Sequence, residues 1–266
     1  MKDAVPVATS IDHRDEFERK ARSLGFQPTD PWVGGYVSYE WAHLRHLITA
    51  LPIEVAGMEV LEVGCNVGAS AIVMSKLGAN VTAFDISPDF VDLAKLNARQ
   101  YECEKIIFDY VEDSRRLPYL TGKFDLVVCN SVLEYVPMSH QSGVISEMGR
   151  VLRIGGLLLL TGTSNQLWPR ELHSGRWGTN YLPRVFDSLL GRSIQRGLTP
   201  WNVTRHFDKT FRTLDNAAAN GFYARSRGAM GVSKTKLRVV LLIAKLFRTQ
   251  PGFLTPSLSC LLQKIG

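Results

Sequence analysis

Glu62, Gly64, Asn66 and Gly68 fall at alternate positions behind a short apolar run, and Asp85 follows Gly64 by 21 positions. The run, "MEVLEV", reads as a buried strand, and the "ASAIVMSKLGA" that follows Gly68 reads as a helix. The four residues therefore occupy a strand-to-helix turn. Glycines in such a turn let backbone approach a ligand closely. A carboxylate ending the next strand, Asp85, can accept both hydroxyls of a ribose, or it can cap the helix opening at Ser87 and Pro88. A dinucleotide fingerprint would need glycine at 64, 66 and 69; Asn66 breaks that pattern and Ala69 only permits it. Asn tolerates the left-handed backbone region, so the tight turn stays open to this sequence. Asp113, in "VEDSRRLPY" after the third strand, can accept from an adenine amino group.

The elements that must position these groups alternate. After "MEVLEV" and its helix come the strand "NVTAF", the helix "SPDFVDLAKLNARQ", and the strands "KIIFDYV" and "FDLVVCN". "SGVISEMGRVLR" is helical, "IGG" turns the chain and "LLLLTGT" is a fifth strand. This rhythm predicts an α/β fold: a doubly wound, mostly parallel sheet with helices on both faces. Ligands of such sheets bind beyond the carboxyl ends of the strands, which is where the Gly64–Gly68 turn falls. Upstream, "RDEFERKARSLG" is a helix after the cap candidate Asp12, and "SYEWAHLRHLITALP" is a helix with Trp41, Leu44, Ile48 and Leu51 on one side. Downstream, a helix near 205–219 and a strand at Gly221–Arg225 are expected, then a helix over "KTKLRVVLLIAKLF" and a closing strand in "PSLSCLLQKI".

Five stretches in order, "VLEVGCNVGASA", "VTAFDIS", "VEDSRRLPY", "FDLVVCNSVLEYV" and "RVLRIGGLLLLTGT", resemble the class I S-adenosylmethionine-dependent methyltransferases. The resemblance covers Glu59 to Thr163, and "GFLTPSLSCLLQK" is similar to the antiparallel last strand that closes the family's seven-stranded sheet. It implies S-adenosyl-L-methionine as cofactor. Gly64, Asn66 and Gly68 would face its methionine part with Glu62 beside them, and Asp85 would hold the ribose. Ile86 would cover the adenine, Asp113 and Ser114 would meet the adenine edge, and Asn130 would sit under the sulfonium end. Two positions depart from the family pattern: Asn66 replaces a glycine, and Tyr135 stands where histidine is frequent. On this resemblance residues 1–266 form a single methyltransferase domain. Its parts are a helical lid or cap (1–55), a cofactor-binding core (56–163) and substrate-facing and closing elements (164–266).

The acceptor is narrowed by what is absent. No Asn/Asp-Pro-Pro-aromatic box follows the fourth strand, where the chain reads "NSVL", and no Pro-Cys dipeptide occurs. Methyltransferases of amide or adenine nitrogen and of cytosine carbon commonly carry these motifs, so a hydroxyl oxygen of a small molecule leads, with carbon, sulfur or amine nitrogen still open. The stretch "TSNQLWPRELHSGRW…NYLP" resembles the substrate wall of O-methyltransferase-like members, including the quinone-biosynthesis type. His173 is the candidate general base, since neutral imidazole titrates near physiological pH, or else a residue that holds the loop. Glu171 could orient His173 or join it at a metal, and a lone Glu-x-His leaves the metal undecided. Arg170 and Arg176 could pair with a substrate anion or be solvated. Trp168, Trp177 and Tyr181 could wall the acceptor or pack the loop. Tyr36 or Tyr39 could reach the cofactor from a lid, or simply pack the amino-terminal helices.

Charge separates the two halves. Residues 1–150 carry 14 Lys and Arg against 21 Asp and Glu, whereas 151–266 carry 17 against 4. A basic half suits an anionic or lipid-like small molecule, a membrane surface or a nucleic acid. The cations are scattered and accompany no RNA module, which counts against an RNA methyltransferase. Residues 234–248 could meet a membrane peripherally or pack on the sheet as a cover helix. A cofactor-binding protein without turnover and a nicotinamide dehydrogenase are the other readings weighed. Four cysteines without a C-x-x-C pair, and an amino terminus without an apolar signal core, point to a cytoplasmic protein with reduced buried thiols.

Overall fold

The computed structural model describes residues 4–9, 11–172, 174–186, 197–207 and 210–266. Its elements run α1 (Ile11–Ser23), α2 (Tyr36–Ala42), α3 (Leu44–Thr49), β1 (Glu59–Val63), α4 (Ala69–Lys76), β2 (Asn80–Asp85), α5 (Pro88–Gln100), β3 (Ile107–Tyr110) and β4 (Phe124–Asn130). They continue α6 (Met138–Val151), β5 (Leu152–Thr161), α7 (Pro200–Thr204), β6 (Phe211–Thr213), α8 (Phe222–Ala229), α9 (Lys234–Leu246) and β7 (Cys260–Lys264). The sheet has seven strands in the order β3-β2-β1-β4-β5-β7-β6. Only β7 is reversed, pairing antiparallel with both β5 and β6. The expected α/β sheet with its antiparallel last strand is therefore present.

Alternation along the strands fills two cores, as a sheet covered on both faces requires. Val60, Leu126, Val128, Leu157 and Leu159 pack with residues of α1 to α5 on one face. Leu61, Val63, Val127, Cys129, Leu158 and Leu160 pack with Val144, Ile145 and Met148 of α6 on the other. A smaller cluster joins Tyr223 and Ala224 of α8 to Leu237 and Leu241 of α9. All four cysteines are free and buried.

Four element expectations are corrected. The "IGG" expected to turn the chain lies inside β5, which starts at Leu152 and meets β4 with an irregular register between Phe124 and Leu126. The helix expected through "SYEWAHLRHLITALP" breaks at His43, whose Nδ1 lies 2.7 Å from the Tyr39 carbonyl oxygen and takes the place of its own N–H. That N–H bonds to Glu40 instead, and the chain restarts as α3. Trp41, Leu44, Ile48 and Leu51 are still all buried. Instead of a helix near 205–219 there are the short helix α7 and the strand β6. Gly221–Arg225 opens a helix rather than forming a strand. Its aromatic pair favours strand locally, but Asp215 caps the helix by accepting from the Tyr223 N–H at 3.1 Å. Phe222, Tyr223 and Ala224 are then buried on it.

The β1–α4 turn adopts left-handed backbone at Gly64, Asn66 and Gly68, with φ of 69°, 48° and 76°. Asn66 occupies the conformation that a glycine would supply, so the departure from the family pattern is conformationally conservative. Asn66→Gly is expected to keep the fold's stability within a few tenths of a kcal/mol. Asn66→Val should cost about 1–2 kcal/mol, the penalty for a bulky residue in this region, as read by urea unfolding. Equal midpoints for the two variants would show that the turn does not depend on this backbone state.

Candidate functional site

Strand order reverses between β1 and β4, and Gly64, Asn66, Gly68, Asp85 and Asn130 lie at the carboxyl ends of the strands there. Asp85 ends β2 and is 8% exposed. One carboxylate oxygen accepts the Asn66 N–H at 2.9 Å and the other the Ser87 N–H at 3.0 Å. Burial raises its pKa, and these backbone bonds oppose the shift. Asp85 thus braces the turn while its remaining lone pairs are available to a ligand. The cap of α5 is Ser87 itself, with Pro88 in its first turn. Ile86 beside it is 62% exposed, an apolar face next to the turn.

Asn130 ends β4 and reaches two partners, Glu40 Oε1 at 3.1 Å and Ser70 Oγ at 3.2 Å. Glu40 and Ser70 were not singled out by sequence reasoning; Glu40 arrives on α2, some ninety positions from Asn130. Glu40 is 3% exposed, and its carboxyl is pushed up to about 7 by desolvation against bonds from Tyr36 and Asn130. Glu62 is buried as well, and its carboxyl is driven well above the ordinary range by desolvation and by the nearby Glu40 charge. Ser70 and the Ala71 N–H bond to it and oppose the shift. The cluster therefore holds two buried carboxylates, and neither is ion-paired among the described residues.

Two buried acceptors in this cluster have no hydrogen-bond partner among the described residues, Glu62 Oε2 and Asn66 Oδ1. Orphaned acceptors match a ligand that brings N–H donors or positive charge. The backbone is also tight. A Cβ on Gly64 would come within 2.8 Å of the Val132 side chain, and one on Gly162, after β5, would strike Ser131 and Asn130. Ser131 itself sits at φ 56°. Backbone of this kind at the ends of β4 and β5 is a site feature that the sequence did not flag.

Asp113 follows β3 and already has a partner. Its carboxylate is gripped by Arg115, Nε to Oδ1 at 2.8 Å and a second guanidinium nitrogen to Oδ2 at 2.9 Å. That pairing holds it down at about 2. An adenine amino group would have to share those oxygens. Ser114 lies half-buried between the two.

The segment after β5 is anchored by Asn165, which donates to the Phe253 and Thr255 carbonyls at 3.0 and 2.8 Å. Beyond it the chain doubles back, with Arg170 bridging antiparallel to Trp177. Glu171 is wholly buried at this turn and accepts the Ser174 N–H at 2.5 Å. Tyr135 is 55% exposed, and burial together with the Glu134 and Glu171 charges raises its pKa. The turn therefore comes close to the segment after β4. Tyr181 donates to the Leu167 carbonyl at 2.7 Å, and Asn180 donates to that of Trp168 at 2.7 Å. Trp177 is 74% exposed. Arg170 is bonded to the Gly175 carbonyl, and Arg176 is exposed. His173 lies outside the described residues. Among the described residues no group of three or more His, Cys, Asp or Glu is arranged to hold a metal. A cleft of about 460 Å³ between α6 and the β6–β7 edge, lined in part by Arg150, Arg205 and Lys264, shares no residue with the cluster.

A doubly wound sheet in this strand order, with a glycine turn after β1 and an acid ending β2, is the architecture of a class I methyltransferase. Residues 61–160 match the family described as a methyltransferase domain. Through this core the chain is similar to the class I S-adenosylmethionine-dependent methyltransferases, whose methyl donor is S-adenosylmethionine. The ubiquinone biosynthesis O-methyltransferase of Xanthomonas oryzae pv. oryzae is 37% identical over 137 residues, 50% of this chain and 54% of the relative. The chain thus spans about half the length of the curated relatives it matches. The structure of an S-adenosylmethionine-dependent methyltransferase from Mesorhizobium loti superposes with a TM-score of 0.54 at 16% identity, covering 85% of this chain and 97% of that one. The cyclase SpnF superposes at 0.52 and 19% identity, covering 85% and 82%. These two likenesses are of fold alone.

The folded chain binds a proton at Glu40 more tightly than the unfolded chain does. Glu40 therefore contributes stability at low pH that is lost as pH rises from its ordinary 4.5 through about 7. The expected result is that the melting temperature of the ligand-free protein, relative to Glu40→Gln, declines across that window. A constant difference between the two proteins from pH 4.5 to 7 would show that Glu40 does not titrate in this way.

Proposed function

We propose that this chain methylates a hydroxyl oxygen of a small, quinone-like or lipid-like acceptor with S-adenosylmethionine as donor. The observation that carries the reading is the cluster at the β1–β4 switch point, where orphaned acceptors and two uncompensated carboxylates await a cationic ligand. Identity with the Xanthomonas relative named above supports oxygen as the methylated atom and a quinone-like acceptor.

When bound, S-adenosylmethionine supplies a methyl group on a sulfonium centre whose positive charge disappears on transfer. The chain's own residues bind and orient. Glu62 and Asn66 offer acceptors to the amino-acid end, and Gly64 and Gly68 keep the turn free of side chains. Asp85 offers its remaining lone pairs to the ribose, Ile86 an apolar face to the adenine, and Asp113 and Ser114 the adenine edge. Asn130, fixed by Glu40 and Ser70, lies at the reacting end. On the acceptor side, Trp168, Arg170, Arg176 and Tyr181 belong to one folded-back segment suited to walling a small molecule. His173 is the proposed base for the acceptor's hydroxyl proton. Glu171, buried and tied to the Ser174 N–H, is a positioning residue for that turn rather than a group that touches the acceptor. Residues 1–55 then act as the lid, through Tyr36 and Glu40, over a core of 56–163, with 164–266 as the acceptor-facing part of one domain. Alignment of this sort can supply up to about 7–11 kcal/mol, and a proton acceptor a further ~10²–10⁴-fold.

The test is a screen with labelled donor against phenols, sugars, carboxylates and lipids, with the methylated atom identified in the product. A methyl ether on a phenolic or quinol acceptor is expected; label found only on nitrogen or in bulk RNA would overturn the reading. Asp85→Ala should abolish S-adenosylmethionine binding in calorimetry, and unchanged affinity would remove Asp85 from the donor site. His173→Ala should slow turnover with donor affinity intact, whereas wild-type turnover would remove it from the mechanism.

A further inference from the structure

The face of α9 turned away from the protein is apolar. Leu237 and Leu241 are buried against α8 and Ala244 is buried on the same side of the helix, which accounts for one stripe. Val239, Leu242, Ile243 and Leu246 form a second stripe at i, i+3, i+4 and i+7, with exposures of 50%, 69%, 38% and 74%. Phe247, at the helix's carboxyl end, extends it at 70% exposure. A soluble cover helix has no use for this second stripe, because one apolar face suffices to pack it. Something apolar must benefit from it.

The charges around the stripe say what. On a helical projection Lys236 lies on one flank of the stripe and Arg238 and Lys245 on the other, all exposed. Lys234 begins the helix and Arg248 follows it. None of these cations makes an ion pair among the described residues, and residues 216–266 contain eight Lys and Arg and no Asp or Glu. An apolar stripe bordered by cations on both flanks is the pattern of a helix lying in the interface of an anionic bilayer. The apolar side chains enter the acyl boundary, and the long cationic stems reach back to the headgroups. A protein groove would have to match both flanks with acids, whereas a lipid surface supplies negative charge on every side. No helix among the described residues is long and apolar enough to cross a membrane, so the contact is with one surface.

The position of α9 gives the contact a direction. It rests on α8, whose Arg227 lies near Tyr39 of α2, and whose Arg225 donates to the Ala50 carbonyl after α3. The α9 face therefore belongs to the side of the molecule that carries the α2 cover over the cluster.

We infer that the Val239–Phe247 face of α9 docks on the surface of an anionic membrane, whichever acceptor is methylated. The test is flotation of the full chain with vesicles of phosphatidylcholine alone and of phosphatidylcholine with an equal share of phosphatidylglycerol. Expected is binding to the anionic vesicles only, weakened by salt. The double variant Leu242→Ser/Leu246→Ser and the charge variant Lys236→Glu/Arg238→Glu/Lys245→Glu should each lose about tenfold or more of it, with unchanged melting curves. All five positions are exposed, so both variants are expected to fold. No binding by the wild type, or anionic binding untouched by the leucine variant, would overturn the inference. So would a dimer in solution that the leucine variant dissociates, since the stripe would then serve a second copy of the chain. Donor calorimetry on the same variants separates this outcome from failure of the methyltransferase reading, because neither variant touches the donor cluster.

Discussion

Two carboxylates buried beside one another at the strand-order reversal set the terms for the rest of the site. Isolated charges of one sign in a low-dielectric interior are costly, and nearby like charge adds to the cost. The protein offsets part of this for Glu40 with Tyr36 and Asn130, and for Glu62 with Ser70 and the Ala71 N–H. It provides no cation among the described residues. The remaining debt is settled in one of two ways, by a proton or by a positively charged ligand. A positively charged ligand at this place would help to hold α2 down, since Glu40 is carried by α2 and its partner Asn130 by the sheet. Helix α2 and the cluster on the sheet are in this sense one electrostatic unit.

The same economy governs Asp85. A single carboxylate braces the left-handed turn through the Asn66 N–H, starts α5 through the Ser87 N–H, and keeps lone pairs toward a ligand. This explains why Asn66 is tolerated where glycine is usual. Its φ is one that asparagine adopts at little cost, and its N–H is held from the neighbouring strand. The choice at residue 85 between ribose ligand and structural brace was a false one: the brace is present, and it leaves the other role open.

What could be read in the sequence was whatever depended on neighbours in the chain. Strand and helix periodicity, the Ser87–Pro88 start of α5 and the glycine turn are all local, and the doubly wound sheet followed from them, whereas its reversed last strand was implied by the resemblance of "GFLTPSLSCLLQK" to the family's closing strand. Failures fell where distant contacts decide. The "GFYAR" stretch has strand-like aromatics, but Asp215 and burial on both sides make it helical. Glu40 was not singled out, since its partner Asn130 and its like-charged neighbour Glu62 come from other parts of the chain. Arg115, two positions along the chain, also grips the Asp113 carboxylate, so an adenine amino group there would share oxygens already bonded.

The charge asymmetry between the halves resolves in a similar way once contacts are known. Much of the basic half is spent on carbonyl oxygens and local partners. Lys264 caps the Gly149 and Leu152 carbonyls, Arg225 the Ala50 carbonyl, Arg170 the Gly175 carbonyl, and Arg212 binds Gln263. Arg153 pairs with Asp125 of the acidic half. These cations are structural, and a net-charge argument for a nucleic-acid partner overcounts them. The cations of α9 are different, because they border exposed apolar side chains rather than carbonyls. A nucleic acid would be served by the charge and indifferent to Leu242, Leu246 and Phe247; only a partner that is both anionic and apolar accounts for both halves of the pattern.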